Sequence, residues 1–68
     1  MRRYLNTLYV QTEGAWLRKD GTTIVIEVEG VKKGRVPAHL LGSLVCLGRV
    51  GVSPPLLGFC AESGVTVT

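Results

Sequence analysis

The residues able to do chemistry in this chain are few, and their spacing does not gather them into a reaction centre. Glu27 and Glu29 stand two apart in a run of alternating apolar residues, so both carboxylates point to one side of a strand. Paired carboxylates can hold a divalent cation, yet no His or Asp is placed to complete the site, and a solvated strand face is the plainer reading. His39 is the sole histidine and could serve as a general base, but it sits between Ala38 and Leu40 without a partner. An exposed or turn-packing imidazole accounts for it better. Cys46 and Cys60 lie in apolar runs, where a free thiol behaves as a small hydrophobe. Nothing beside Cys60 would favour its thiolate. Glu62 reads as a surface residue late in a helix. No catalytic set and no metal-ligand set is expected here.

Anion binding is the chemistry the spacing favours. Arg49 lies between Gly48 and Gly51, a few residues ahead of Ser53-Pro54, where a helix opens. A helix N-terminus offers N–H donors and a positive dipole end, and a guanidinium adds bidentate phosphate contact. Arg49 and Ser53 are therefore the candidate nucleic-acid contacts, against the plain reading of a surface arginine on a turn. Lys32, Lys33 and Arg35 form a second basic cluster. Lys32 and Lys33 point to opposite sides of a strand, which suits solvation and edge protection more than a binding stripe. Trp16, near the Thr12-Glu13-Gly14 turn, could stack on a base. In a chain with one Trp, one Phe and two Tyr, it is more needed in the core.

A single small domain must position these residues. The 68 residues are 46% hydrophobic with a formal charge of +3, which argues against disorder and permits phosphate contact without demanding it. Two cysteines fall short of a disulfide framework. Arg2-Arg3 leads into Tyr4-Leu5-Asn6-Thr7, which breaks the apolar stretch a signal peptide needs. Arg49 and Pro54-Pro55 interrupt the apolar region 40–61 before it reaches membrane-spanning length. The cytoplasm is the expected compartment.

Strand signals fill most of the chain. Leu5 to Gln11 has a strand composition, and Glu13-Gly14 turns it into Ala15 to Lys19. Asp20-Gly21 suits a type I′ hairpin. Thr23 to Glu29 is the clearest strand, with Ile24, Ile26 and Val28 on one face and Val25, Glu27 and Glu29 on the other. Val25 is the exception on that wet face and suggests a second contact surface. Glu29-Gly30 turns into 31–36, where Gly34 suggests a bulge and Pro37 ends the strand. Residues 38–42 read as one helical turn, 43–47 as a central strand and 48–52 as a loop. Ser53-Pro54 opens the one helix, Leu56, Leu57 and Cys60 supply its buried stripe, and Gly64 closes it. The fold class expected is α+β and mostly β: about six short strands in a sandwich-like domain, with one helix near the C-terminal end. The closing run Val65-Thr66-Val67-Thr68 reads as an open-edged strand, so the chain is expected to be the first piece of something larger.

Three stretches carry a family likeness. Leu5-Asn6-Thr7-Leu8-Tyr9-Val10, then Arg35 to Leu41 with Leu44-Val45-Cys46, then Gly51-Val52-Ser53-Pro54 through Cys60 to Val65 resemble the CRISPR-associated integrase. That family is the metal-dependent endonuclease of spacer acquisition in antiviral defence, and the likeness is closest to its type I-C branch. The resemblance implies that residues 1–68 are the N-terminal β domain of a two-domain protein. The helical domain, whose Glu, His and Asp hold Mg²⁺ or Mn²⁺, would lie outside these residues. It further implies a homodimer through the β domain, a small companion adaptation protein, and duplex DNA (protospacer and CRISPR array) as partner. Arg49 occupies the loop through which some members touch DNA. Thr12-Glu13 stands where some relatives place an aromatic wedge, with Trp16 only nearby. Two rival readings remain: a free-standing β module binding single-stranded nucleic acid, and a purely structural interaction fragment.

Overall fold

Seven short strands fold into two sheets that share one core with a single helix. The computed structural model describes residues 6–68. In order these are β1 (Thr7–Val10), β2 (Ala15–Asp20), β3 (Thr23–Val28), β4 (Val31–Pro37), a 3-10 turn (Ala38–Leu40), β5 (Ser43–Cys46), β6 (Val50–Val52), α1 (Pro54–Ser63) and β7 (Thr66–Val67). The mostly-β class with one late helix is as expected. Leu5, the anticipated start of the first strand, lies outside the described residues, as do Tyr4 and Arg2-Arg3. Among the described residues no helix is long and apolar enough to cross a membrane.

One sheet has the order β4-β3-β2-β6 and the other β1-β5-β7. The smaller sheet is parallel throughout, with β5 in its centre as its apolar run suggests. The larger is antiparallel except at β6, which runs parallel to β2. Parallel neighbours cannot be joined by a tight hairpin. Here the chain satisfies that constraint by changing sheets four times, from β1 to β2, β4 to β5, β5 to β6 and β6 to β7, so no two parallel neighbours are consecutive in sequence.

Sequence and structure part company at residues 50–52 and at the types of the two hairpin turns. Residues 50–52 form β6 rather than part of a loop, which raises the strand number from six to seven. The first hairpin closes one residue later than expected. Asp20 pairs with Thr23, leaving Gly21-Thr22 as the loop with only Gly21 at positive φ (62°), a type II′ pattern. The type I′ pattern belongs instead to Glu29-Gly30, with φ of 54° and 78° between the paired Val28 and Val31. The bulge lies beside Gly34, as expected: Ile26 opposes Gly34 and Glu27 opposes Lys32, which leaves Lys33 as the extra residue.

The core lies between the sheets and under α1. Val10, Ala15, Leu17, Ile24, Ala38, Leu44, Leu56, Cys60 and Val65 form one buried cluster. Helix α1 begins where Ser53 caps it and ends at Gly64 (φ 78°), after which Val65 donates back to the Cys60 carbonyl at 2.9 Å. That closure points Val65 into the cluster and sets the direction of β7.

Candidate nucleic-acid interface

Arg49 stands where two of the sheet-to-sheet connections, β1 to β2 and β5 to β6, run side by side. Gly14 N–H donates to the Arg49 carbonyl at 2.9 Å, Leu47 N–H to the Val10 carbonyl at 2.9 Å, and Ala15 N–H to the Thr12 carbonyl at 3.2 Å. Glu13 adds its carboxylate, which accepts from Arg49 N–H at 3.4 Å and pairs with Arg49 Nε at 3.6 Å. Gly48 has φ of 82°, and a Cβ there would stand 3.3 Å from Glu13 Oε1. The backbone around Arg49 is thus fixed while its side chain is 88% exposed. An exposed ion pair of this kind contributes little to stability and exchanges readily for a phosphate.

Ser53 is placed differently. It is buried, its hydroxyl accepts from Leu56 N–H at 3.3 Å, and its own N–H donates to the Leu17 carbonyl at 2.9 Å. The helix N-terminus has no donor to spare. Pro54 and Pro55 carry no N–H, Leu56 is taken by Ser53 Oγ, and Leu57 N–H donates to the Ser53 carbonyl at 3.1 Å. Strand β6 also separates Arg49 from the helix start, by roughly 10 Å for three extended residues. The expected joint anion site of Arg49 with the helix terminus is therefore not formed; Arg49 presents its charge alone.

Trp16 is the larger surprise. It is 43% exposed and lies on the outer face of the four-stranded sheet, not in the core. Its neighbours Ala15 and Leu17 take the inward positions, as strict alternation requires. A Cβ at Gly51, its partner across β6, would come within 2.5 Å of Trp16 Cε3, so the indole fills the space a side chain there would need. Covering a bare strand glycine is itself a stabilising role.

The rest of that outer face closes over itself. Val25 is 0% exposed yet outside the core cluster. Arg18 and Arg35 flank it in register, and Arg18 Nε bonds Glu27 Oε2 at 2.8 Å. With Val25 at 0% exposure, the aliphatic stems of these flanking side chains are the groups in register to cover it. Glu27 is thereby held by an arginine, and Glu29 sits in the following turn, so the two carboxylates do not form a cation site. His39 is exposed in the 3-10 turn, and Lys32, Lys33 and Arg35 are exposed on edge strand β4. Burial pushes the Cys46 and Cys60 thiols up, with Cys46 adding to the effect at Cys60. No group of three His, Cys, Asp or Glu suited to a metal ion occurs among the described residues. The Mg²⁺ or Mn²⁺ that the family likeness implies does not fit this part of the molecule.

Two small sheets with one late helix, an exposed Arg49 and, among the described residues, no group of metal-ligating side chains define a small, mostly-β domain. The family described as "CRISPR associated protein Cas1" matches residues 8–68, and the chain belongs to that family. It is 55% identical over 98% of its length to the CRISPR-associated endonuclease Cas1 2 of Rhodospirillum rubrum. It is 48% identical over its full length to the CRISPR-associated endonuclease Cas1 1 of Chlorobaculum tepidum. The chain spans about a fifth of the length of these relatives (20% of each). The solved Cas1 protein of Thermotoga maritima shares the fold, with a TM-score of 0.77 over 93% of this chain and 20% of that one at 21% identity.

Two features were beyond the sequence reading. Glu13 and Arg49 meet across 36 positions, which no local signal gives. Trp16 was recoverable, since Ala15-Trp16-Leu17 between two turns alternates with the tryptophan outward.

Proposed function

We propose that the chain is the N-terminal β domain of a CRISPR adaptation endonuclease of the type I-C branch, with a dimerising and DNA-positioning role. The observation that carries this reading is the family match over residues 8–68 in relatives five times as long that are named endonucleases. Metal-assisted strand transfer with Mg²⁺ or Mn²⁺, the chemistry of inserting new spacers, would belong to a helical domain outside these residues. Arg49 contacts a duplex phosphate, exchanging Glu13 for it. Ser53 acts through the helix cap that holds the segment after β6. A second copy of the chain, a small companion adaptation protein and double-stranded DNA are the partners.

The rival single-strand-binding reading needs stacking aromatics aligned on one face. Tyr9 and Trp16 lie on the outer faces of different sheets, which disfavours it. Titration of the purified chain with a short duplex, followed by fluorescence anisotropy, tests the proposal. Arg49→Ala should weaken binding several-fold and flatten its salt dependence, while Trp16→Leu should leave it unchanged. The reverse ranking, or binding of single strands alone, would favour the rival. A mass of one chain by light scattering at high concentration would remove the dimer.

A further inference from the structure

Among the described residues, no helix or strand packs on the outer face of the parallel sheet. Strands β1, β5 and β7 turn Leu8, Val10, Leu44, Cys46 and Val67 to the core. Thr7, Tyr9, Ser43, Val45 and Thr66 face outward, in the rows Thr7–Ser43–Thr66 and Tyr9–Val45. Tyr9 is 61% exposed. This face carries no charged residue, in a chain with eight basic and five acidic ones. Parallel sheets occur almost only with both faces covered, and the usual cover is a helix.

Size decides what could cover it. Three strands about 4.8 Å apart, two of four residues and one of two at about 3.3 Å each, make a footprint on the order of 160 Å². A stable contact between two chains needs about 800 Å² per partner, so this face alone cannot hold a dimer. One helix roughly 10 Å across does cover it within two or three turns. An intramolecular contact also escapes the two-body requirement, since its partner is held at high effective concentration. Family relatives have the length to supply such a helix, because this chain spans 20% of each.

We infer that the Tyr9–Val45 face seats an amphipathic helix with an apolar, uncharged contact stripe, supplied by the polypeptide beyond these 68 residues. The inference rests on the reading of the chain as one domain of a longer protein. Tetranitromethane nitration of Tyr9, located by tandem mass spectrometry in a Tyr4→Phe background, tests it. The 68-residue chain and the product of the whole reading frame are compared at several dilutions. Tyr9 should react at least ten-fold more slowly in the longer product, independent of concentration. Equal rates would overturn the inference and leave the longer-protein reading intact. Protection that disappears on dilution would overturn it in favour of a second copy. A reading frame ending at residue 68 would overturn both, and is told apart by the gene alone.

Discussion

The two sheets treat their outer faces in opposite ways. On the four-stranded sheet, Arg18, Glu27 and Arg35 close over Val25, and Trp16 covers Gly51. On the three-stranded sheet, Tyr9 and Val45 sit in an uncharged surface that the described residues leave open. The antiparallel register sets Arg18 and Arg35 on either side of Val25, with Glu27 diagonal to Arg18, so that face supplies its own lid. The parallel sheet has only short hydroxyls and apolar groups there. A face that seals itself is finished structure; a face that does not is a place for something else.

The sharpest way to break this comparison is to place the same charge on both faces. Val25→Lys sets a third positive charge between Arg18 and Arg35 at a position with no exposure and should cost about 3 kcal/mol or more, enough to unfold much of so small a domain. Val45→Lys, on the open face, should lower the stability read from a urea melt by no more than about 1 kcal/mol. Equal losses would mean that the open face is as tightly packed as the closed one.

Gly51→Val asks whether the tryptophan lid is structural. The new side chain would occupy the space of Trp16 Cε3 and Cζ3, so the indole must swing into water. A loss of about 1–3 kcal/mol and a red-shifted emission are expected. Trp16 is the only tryptophan, which makes the spectrum unambiguous. Glu27→Gln removes the charge that holds Arg18 and should cost less, about 1 kcal/mol, in the same melt.

Legibility followed the range of the interactions. The Thr23–Val28 alternation, the helix from Ser53 to Gly64 and the bulge near Gly34 depend on neighbours a few residues away, and the sequence displays them. Strand β6 does not: Val50-Gly51-Val52 has strand character only because β2 lies alongside, more than thirty positions earlier. Without that partner, two glycines around Arg49 look like a loop. Hairpin type was not legible for a related reason. Asp20-Gly21 has the stronger local claim to a type I′ turn, yet the cross-strand register gives the two positive φ angles to Glu29-Gly30. Arg49 was found by its glycine setting, but its separation from the helix terminus was hidden in the same missed strand. The two prolines that leave that terminus without donors were visible throughout.

The smallest effect tests the inner side of the open sheet. Cys46 on β5 and Cys60 on α1 both have thiols raised by burial, and Cys60 further by Cys46. An acid whose pKa is raised on folding holds its proton longer in the native state than in the unfolded one. The stability it contributes is fully present below the unfolded value and is lost as pH rises through the native one. The urea midpoint should therefore fall as pH climbs from about 8 to 9.5, where unfolded thiols ionise and folded ones do not. Replacing both cysteines by alanine should flatten that slope while lowering the midpoint at every pH. A wild-type midpoint constant across this window would mean that water reaches the thiols from the open face, and would place the weak side of the parallel sheet inside as well as out.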